Sequence, residues 1–521
     1  MLFNSLPFIF LFLPIVLMGF FIVGRHSSSG AAAWLTLASL FFYGWWNPVY
    51  VGLLVLSMVF NYRVGRGIVH ARAEGSLSSA RKLLVFALAT DLALLAYYKY
   101  ANFFVDNLNA TLQTQLSLGE IILPLGISFF TFTQIAFLVD AYQGKVREYS
   151  FVHYALFVTY FPHLIAGPIL HHAEMMPQFA QREIYRPDAG KMAAGVTLFV
   201  LGLTKKVLIA DGVGQYVAPV FDTARGGAAL TFLESWCGAL AYTFQLYFDF
   251  SGYSDMAVGL SLLFGVKLPA NFHSPYKAVN IIDFWRRWHI TLSRFLRDYL
   301  YYPLGGNRKG SARRYLNLLI TMLLGGLWHG AGWTFLVWGA LHGVYLCMNH
   351  GWIALRRALG FAPGSSALGQ ALACCVTFLA VVVGWVIFRA DSLATALSIF
   401  RGMAGFNGFA LPDHWLAKWG VLGSWLATQG VSFSDSRGLV TAGLVYWLLA
   451  LLLVVWLAPN TQQIMRKAKP VLQSFNERPN DQARQGWCWR PAPWVAVPLA
   501  GLALLVVVNL HKKSEFLYFQ F

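Results

Sequence analysis

Charge is what this sequence has least of. Asp, Glu, Lys and Arg together make up 12% of its 521 residues, about half of the roughly 25% carried by a soluble domain. An ordinary water-exposed globule is therefore excluded. Acid is scarcer than base, with 22 Asp and Glu against 39 Lys and Arg and a net charge of +17. Cysteine is also sparse. Cys237, Cys347, Cys374, Cys375 and Cys488 form no CxxC pair, so neither a zinc knuckle nor a dithiol redox centre is encoded. Most of them lie in apolar runs, where cysteine behaves as a small buried hydrophobe. His163, His171 and His172 fit no metal-ligand spacing, and no metal site is expected. Ser128 and Ser251 lack the glycine-flanked elbow of a serine nucleophile. No internal repeat and no low-complexity tract is present.

What the chain has in abundance is apolar length. Hydrophobic residues are 57% of the sequence and the mean hydropathy is +0.56. Candidate spans recur at 7–24, 31–46, 48–62, 83–99, 119–139, 151–170, 190–209, 229–248, 254–267, 315–329, 331–349, 369–389, 438–457 and 492–510. Several fall short of the roughly 20 residues of a full crossing. Short pieces broken by Gly and Pro, such as Phe161-Pro162-His163-Leu164-Ile165-Ala166-Gly167-Pro168, suit re-entrant segments buried by protein. The expected fold is all-α: a polytopic transmembrane protein with about eleven crossings plus re-entrant and interfacial helices. The stretch Pro7 to Gly24 lacks the basic start and small-residue cleavage site of a signal peptide, and is read as the first span. Arg63, Arg66, Arg72, Arg81 and Lys82 against Glu74 mark the 62–82 loop as cytoplasmic, which puts the N-terminus on the periplasmic side. Residues 406–437 read as a long loop. Residues 460–491, with Arg466, Lys467, Lys469, Arg478, Arg484 and Arg490, read as a basic cytoplasmic linker. The positive charge is assigned to such loops and to anionic headgroups, and no nucleic-acid partner is expected.

Ionisable groups inside apolar runs are costly and by default functional. His329 stands in Leu323-Leu324-Gly325-Gly326-Leu327-Trp328-His329-Gly330-Ala331. His289 stands in Phe284-Trp285-Arg286-Arg287-Trp288-His289. At about 100° per residue, 283–300 forms one amphipathic helix. Phe284, Trp288, Leu292 and Phe295 share one arc, and Arg286, Arg287, Arg294 and Arg297 the other. Such a helix lies in the membrane interface. His289 falls at the edge of the apolar arc beside Ser293, and Arg294 precedes Asp298 at pairing distance. The arginines snorkel to lipid phosphate, or Arg286 and Arg287 bind the phosphates of a nucleotide-bearing donor. Asp249 and Asp255, flanking Tyr253, call for a cation or backbone donors. Asp91 is a lone buried acid, protonated or paired with Lys99. Gly325, Gly326 and Gly330 leave room for a substrate chain beside His329.

Much of this text resembles the membrane-bound O-acyltransferase family, in particular its bacterial alginate O-acetyltransferase branch, which also holds the D-alanyl transferase of teichoic acid. The resemblance is carried by Tyr97-Tyr98-Lys99-Tyr100-Ala101-Asn102-Phe103-Phe104, Leu123-Pro124-Leu125-Gly126-Ile127-Ser128-Phe129, the Phe161–Pro168 segment, Gln245 to Ala257, Phe284 to His289 running on to Arg297-Asp298-Tyr299, Gly305-Gly306-Asn307-Arg308, and Gly326-Leu327-Trp328-His329-Gly330-Ala331. It covers about residues 1–400, taken as the enzyme core, with 401–521 as C-terminal loops and last helices of the same membrane domain. The resemblance implies acyl transfer in a funnel through the membrane, with His329 catalytic and His289 the second site histidine. Asp249, Tyr253, Asp255, Ser293, His163 and Trp328 would line or support the funnel. His329 would act as general base on an acceptor hydroxyl, and His289, the Trp328 indole or a backbone N–H near Gly330 would meet the oxyanion. The implied activity is acetyl transfer from acetyl-coenzyme A or an acyl carrier protein thioester, with no bound cofactor, to an exported polysaccharide of alginate or cellulose type. It implies an inner-membrane setting beside a polysaccharide export complex and a periplasmic acetyltransferase. D-Alanyl or other acyl transfer to an envelope glycan remains open, as does a secondary transporter, which would also use broken helices and intramembrane charge.

Overall fold

The computed structural model describes residues 1–146, 150–360, 366–433, 437–473, 475, 488–511 and 517. Arg478 and Arg484 of the basic linker lie outside the described residues. The chain is helical nearly throughout. Strand pairing among the described residues is confined to Ala410–Leu411 beside Ser432–Phe433 and a single bridge from Leu268 to Val471. The principal helices are α1 (Leu13–Gly24), α2 (Ser28–Gly44), α3 (Val49–Ala73), α4 (Leu77–Leu112), α5 (Ile127–Tyr142), α6 (Phe151–Thr159), α7 (His172–Phe179), α8 (Ala189–Leu203), α9 (Phe232–Leu263), α10 (Ile281–Trp285), α11 (Ile290–Leu296), α12 (Gly310–His329), α13 (Trp333–Ala358), α14 (Ala367–Arg389), α15 (Ala442–Leu457) and α16 (Pro493–Asn509). Three segments among the described residues are long and apolar enough to cross a membrane by length and composition: Val49–Ala73, Ala189–Arg225 and Ala367–Arg389.

Two sequence expectations change here. The spans at 229–248 and 254–267 are one 32-residue helix, α9, started by a Thr231–Glu234 capping box of the kind that satisfies two orphan N–H groups at once. Its central polar run does not break it, because Asp249 and Asp255 are paired across to the preceding helix. Second, the 406–437 loop holds two short helices, Asp413–Trp419 and Val421–Thr428. At Phe161–Pro168, α6 stops at Thr159 and is followed by a single turn, Phe161–Leu164, and then non-helical backbone.

Hydrogen bonds fix which helix ends share a face. The Arg72 guanidinium at the end of α3 donates to the Tyr142 carbonyl at the end of α5. Tyr299 Oη donates to Asp140 at 3.1 Å and lies 3.1 Å from His171 Nδ1. Arg294 grips Glu174 of α7 with two bonds of 2.5 and 2.7 Å. The Gln178 amide exchanges bonds with the Lys267 backbone, and the Leu472 N–H donates to the Leu268 carbonyl. The 62–82 stretch expected as a loop is helical except at 74–76, being the last turns of α3 and the first turn of α4, and this basic helix-to-helix turn shares its face with the start of α7 and with residues 267–268, 299 and 472. At the opposite face Tyr50 Oη donates to the Ile122 carbonyl at 2.9 Å, and the Trp333 indole to Asn107 Oδ1 at 2.9 Å.

Candidate active site

His329 is the last residue of α12, and α12 ends where it does because its carbonyls are capped from outside. The final turn of any helix leaves carbonyls without N–H partners, and a cation there is favourable. Here the Lys99 ammonium of α4 donates to the Trp328 carbonyl at 2.5 Å and the His329 carbonyl at 3.2 Å. The neighbouring Tyr100 hydroxyl donates to Leu327 at 2.8 Å. Gly330 then leaves the helix in extended backbone. Of the two readings of Asp91, pairing with Lys99 does not occur: Asp91 accepts from the Asn61 amide at 2.9 Å. The His329 ring sits between aromatic edges, with Trp338 and Phe388 each 5.2 Å away between ring centres and nearly perpendicular.

His289 reaches the same place by a route the helical wheel did not show. The expected single helix over 283–300 is broken: α10 ends at Trp285, α11 starts at Ile290, and His289 between them has φ of 41° and ψ of 54°. A non-glycine residue in this left-handed region costs about 1–2 kcal/mol. The buried Asn271, two residues before His273, holds it there. Its carbonyl accepts from the Ile290 N–H at 3.0 Å, and the His273 N–H donates to the Arg287 carbonyl at 3.0 Å. The Asn271 side-chain oxygen accepts from Thr291 Oγ1 at 2.7 Å and from the Thr291 N–H at 3.3 Å, and lies 3.2 Å from His289 Nδ1. A backbone N–H can only donate, so this atom is an oxygen and an acceptor. Neutral His289 must then carry its proton on Nδ1, leaving Nε2 as a lone-pair acceptor. Nε2 is buried and without a partner among the described residues. The oxyanion-donor role expected of His289 is therefore not what its neutral form offers.

The two rings lie 6.5 Å apart between centres, with Trp328 beside both, and both residues are buried. A cavity of about 160 Å³ toward the opposite face is lined by Lys99, Gly126, Ser128, Ile165 and Trp328, whose indole lies beside both histidine rings. On the basic-loop face, Asn271 belongs to the same short segment, 267–273, that walls a cavity of about 360 Å³.

The remaining expected residues divide between supporting and peripheral positions. Asp249 and Asp255 find cations, as their burial requires. Lys206 lies 2.5 Å from Asp249 and 2.8 Å from Asp211, and Lys205 lies 2.5 Å from Asp255. These consecutive lysines sit in a π-helical turn, Thr204–Ala210, that directs both at α9. Tyr253 stacks on Phe3 with ring centres 4.9 Å apart. His163 bonds the Phe157 carbonyl at 2.8 Å and braces the Phe161–Leu164 turn. Ser293 Oγ turns back to the Trp288 carbonyl. Arg287 is engaged by Asp283 at 2.9 Å and by the His273 carbonyl, Arg286 is exposed, and Arg294 pairs with Glu174 while Asp298 takes Arg297. The Gly330 N–H is held, at 3.4 Å, by the Gly326 carbonyl. The space beside Gly326 and Gly330 is filled by α13: a Cβ on either would come within 2.3 Å of Phe335. These glycines serve helix packing, not substrate approach. No group of three or more metal-ligating side chains occurs among the described residues.

Sequence reasoning missed Asn271 and His342. His342 is fully buried beside Trp338, 4.8 Å between ring centres.

Comparison with known proteins gives a consistent assignment. The model of the membrane-bound O-acyltransferase family matches residues 81–384. A peptidoglycan O-acetyltransferase of Helicobacter pylori is 45% identical over 438 residues, covering 79% of this chain and 81% of its own. A probable alginate O-acetylase of Pseudomonas putida is 38% identical over 527 residues, covering the full length of both. A teichoic acid D-alanyltransferase of Bacillus subtilis is 28% identical over 272 residues, 51% of this chain and 68% of its own.

Proposed function

The chain belongs to the membrane-bound O-acyltransferase family, and from that premise we propose that His329 is the general base of an acetyl transfer across the membrane. It is a membrane-bound O-acetyltransferase of the alginate and peptidoglycan type. The observation that carries the finer reading is the buried pair His329 and His289, 6.5 Å apart between ring centres, with cavities toward each face. The basic loops of one face suit the cytoplasm. The donor, an acetyl thioester of coenzyme A or of an acyl carrier protein, enters there, and the acceptor hydroxyl enters from the periplasmic face. The chain then crosses the bacterial inner membrane about eleven times around this funnel, with a periplasmic N-terminus.

In the proposed step the hydroxyl oxygen attacks the thioester carbonyl carbon as His329 takes its proton. The tetrahedral adduct collapses, the C–S bond breaks, and the thiolate recovers a proton from His329. The products are an acetyl ester and a free thiol. A positioned base contributes about 10²–10⁴-fold. His289, with Nδ1–H given to Asn271, offers Nε2 to a hydroxyl or N–H of a reactant and so positions it. The Trp328 indole is the candidate donor to the oxyanion. Asp249, Asp255, Tyr253, Ser293 and His163 support the walls. The acceptor is an exported envelope polysaccharide of alginate, peptidoglycan or cellulose type, reached directly or through a periplasmic acetyltransferase in an export complex.

The test is transfer of radiolabelled acetyl from its thioester by purified protein and by His329→Ala. The variant should elute and melt like the parent yet lose at least a hundredfold in rate. A folded His329→Ala protein with near-parental rate would end this reading.

A further inference from the structure

One buried histidine has no part in the chemistry proposed above. His342 lies on α13, fully buried in an aromatic box. Between ring centres, Trp285 of α10 is 5.3 Å from it, Trp338 of its own helix 4.8 Å, and Trp385 of α14 6.2 Å. Neither ring nitrogen has a hydrogen-bond partner among the described residues, and the indole N–H groups of Trp285 and Trp338 have none either. An imidazole is a poor way to fill such a box. Leucine or phenylalanine would pack there with no polar atom to satisfy, and such a replacement is commonly neutral or stabilising. Polar groups kept against local packing rules are expected where function overrides them.

The neighbours of His342 point to that function. Trp338 and His342 are four residues apart on α13, so they lie on one face of the helix. Trp338 is also a wall of His329: the two rings are 5.2 Å apart between centres and nearly perpendicular, at 88°. The indole is therefore wedged between the two histidines. Gly384 of α14 closes the box. A Cβ at that position would stand 2.8 Å from His342 Nε2 and 3.6 Å from Trp338 Nε1. Both nitrogens thus converge on one spot of the α14 backbone, and a larger residue there would push the His342 ring away. The two groups are complementary. An indole N–H only donates, and a neutral imidazole keeps one lone pair to accept.

We propose that His342 is a positioning residue for His329, acting through the Trp338 indole between them. This rests on the reading of His329 as the general base. The His342 lone pair orients the Trp338 N–H, directly or through a buried water. The Trp338 ring in turn sets the angle at which His329 meets the acceptor hydroxyl. The effect is one of geometry, since a reacting group displaced by about 1 Å loses on the order of 10²-fold in rate. Substrate binding is left alone, because neither His342 nor Trp338 lines the cavities beside Lys99 and Lys267.

The test is steady-state kinetics on purified full-length protein, with acetyl-coenzyme A as donor and alginate oligosaccharide as acceptor. His342→Leu should lower kcat at least tenfold, change each KM less than about twofold, and melt at or above the parental temperature. His342→Gln keeps an acceptor and should stay within about threefold of the parental kcat. Trp338→Phe keeps a ring, removes the N–H, and should lose as much as His342→Leu. The double variant should lose no more than either single one, because both break one chain of contacts. Parental kcat in His342→Leu overturns the proposal. So does a kcat loss matched by a lower melting temperature, which would make His342 a packing residue. His342→Gln as slow as His342→Leu overturns the hydrogen-bond route, and single losses that multiply in the double variant overturn the route through Trp338. His329→Ala separates this inference from the reading beneath it. Parental rate in His329→Ala removes the base itself, whereas an inactive His329→Ala beside a fully active His342→Leu removes only the role of His342.

Discussion

At the residue scale the decisive atom is the side-chain oxygen of Asn271. It receives the Thr291 N–H and hydroxyl and the His289 ring, so one neutral amide sets both the strained backbone of His289 and its tautomer. Second-sphere partners of this kind commonly carry a large share of a histidine's function. Asn271→Leu removes the acceptor at similar volume. It should lower kcat about 10²-fold, the low end of what proton transfer supplies, with a smaller change in KM. Thr291→Val keeps the His289 bond and should cost far less. Steady-state kinetics on the two variants compares them directly, and equal losses would show that Asn271 acts only through the backbone. The two histidines were legible in the sequence because an ionisable group in an apolar run is expensive. Asn271 was not, because an amide in a turn follows no period and carries no charge. Lys99 was visible for the same reason as the histidines, but its partners, two carbonyls more than two hundred residues away, were not.

At the element scale, glycines decide how closely the helices pack. A Cβ on Gly202 would meet the Gly252 carbonyl at 2.6 Å, and one on Gly259 the Gly195 carbonyl at 2.6 Å, so α8 and α9 touch backbone to backbone. Small residues at such crossings are the usual means of helix association in lipid. The α12–α13 pair uses Gly326 and Gly339 in the same way. Gly326→Ala places a methyl 2.3 Å from the Phe335 carbonyl and must push the helices apart. It should cost about 1–3 kcal/mol, the usual range for overpacking, and lower the melting temperature in detergent. Because His329 lies one turn beyond, activity should fall further than stability alone explains. An unshifted melting curve would contradict the packing account. Apolar periodicity located most of these helices. It failed at 283–300, where the arcs were right, with Phe284, Trp288, Leu292 and Phe295 all buried, yet the helix breaks. The break is imposed by pairing with 271–273, a contact that no local pattern encodes. It failed again at α9, where polar residues suggested a gap that ion pairs with Lys205 and Lys206 close.

At the scale of the whole molecule, the arrangement has a direction. The hydrogen bonds joining helix ends place the cavity beside Lys99 and Trp328 on the face opposite the cation-lined cavities, one lined by Lys267, Arg466 and Lys469 and the other by Lys191, Lys467 and Arg490. The Phe232 N–H bonds the Gly408 carbonyl, so the stretch around Gly408 lies at the start of α9, while Lys267 follows the end of α9 on the basic-loop face. The charges agree with this division. The 62–82 stretch, where α3 turns into α4, holds Arg63, Arg66, Arg72, Arg81 and Lys82 against Glu74, whereas 404–437 balances Lys418 and Arg437 with Asp413 and Asp435. Basic loops face the cytoplasm, so the cation-lined cavities should open inward and the 404–437 region outward. Single cysteines at the exposed positions Ser78 and Ser424, in a chain whose five cysteines are changed to alanine, test this with a membrane-impermeant maleimide. Ser424→Cys should label on intact spheroplasts, and Ser78→Cys only after permeabilisation. The opposite pattern would invert the chain and place the cation-lined cavities outside, where no cytoplasmic thioester could reach them. Labelling of both positions from one side would break the link between the two faces and the acetyl group's passage across the membrane.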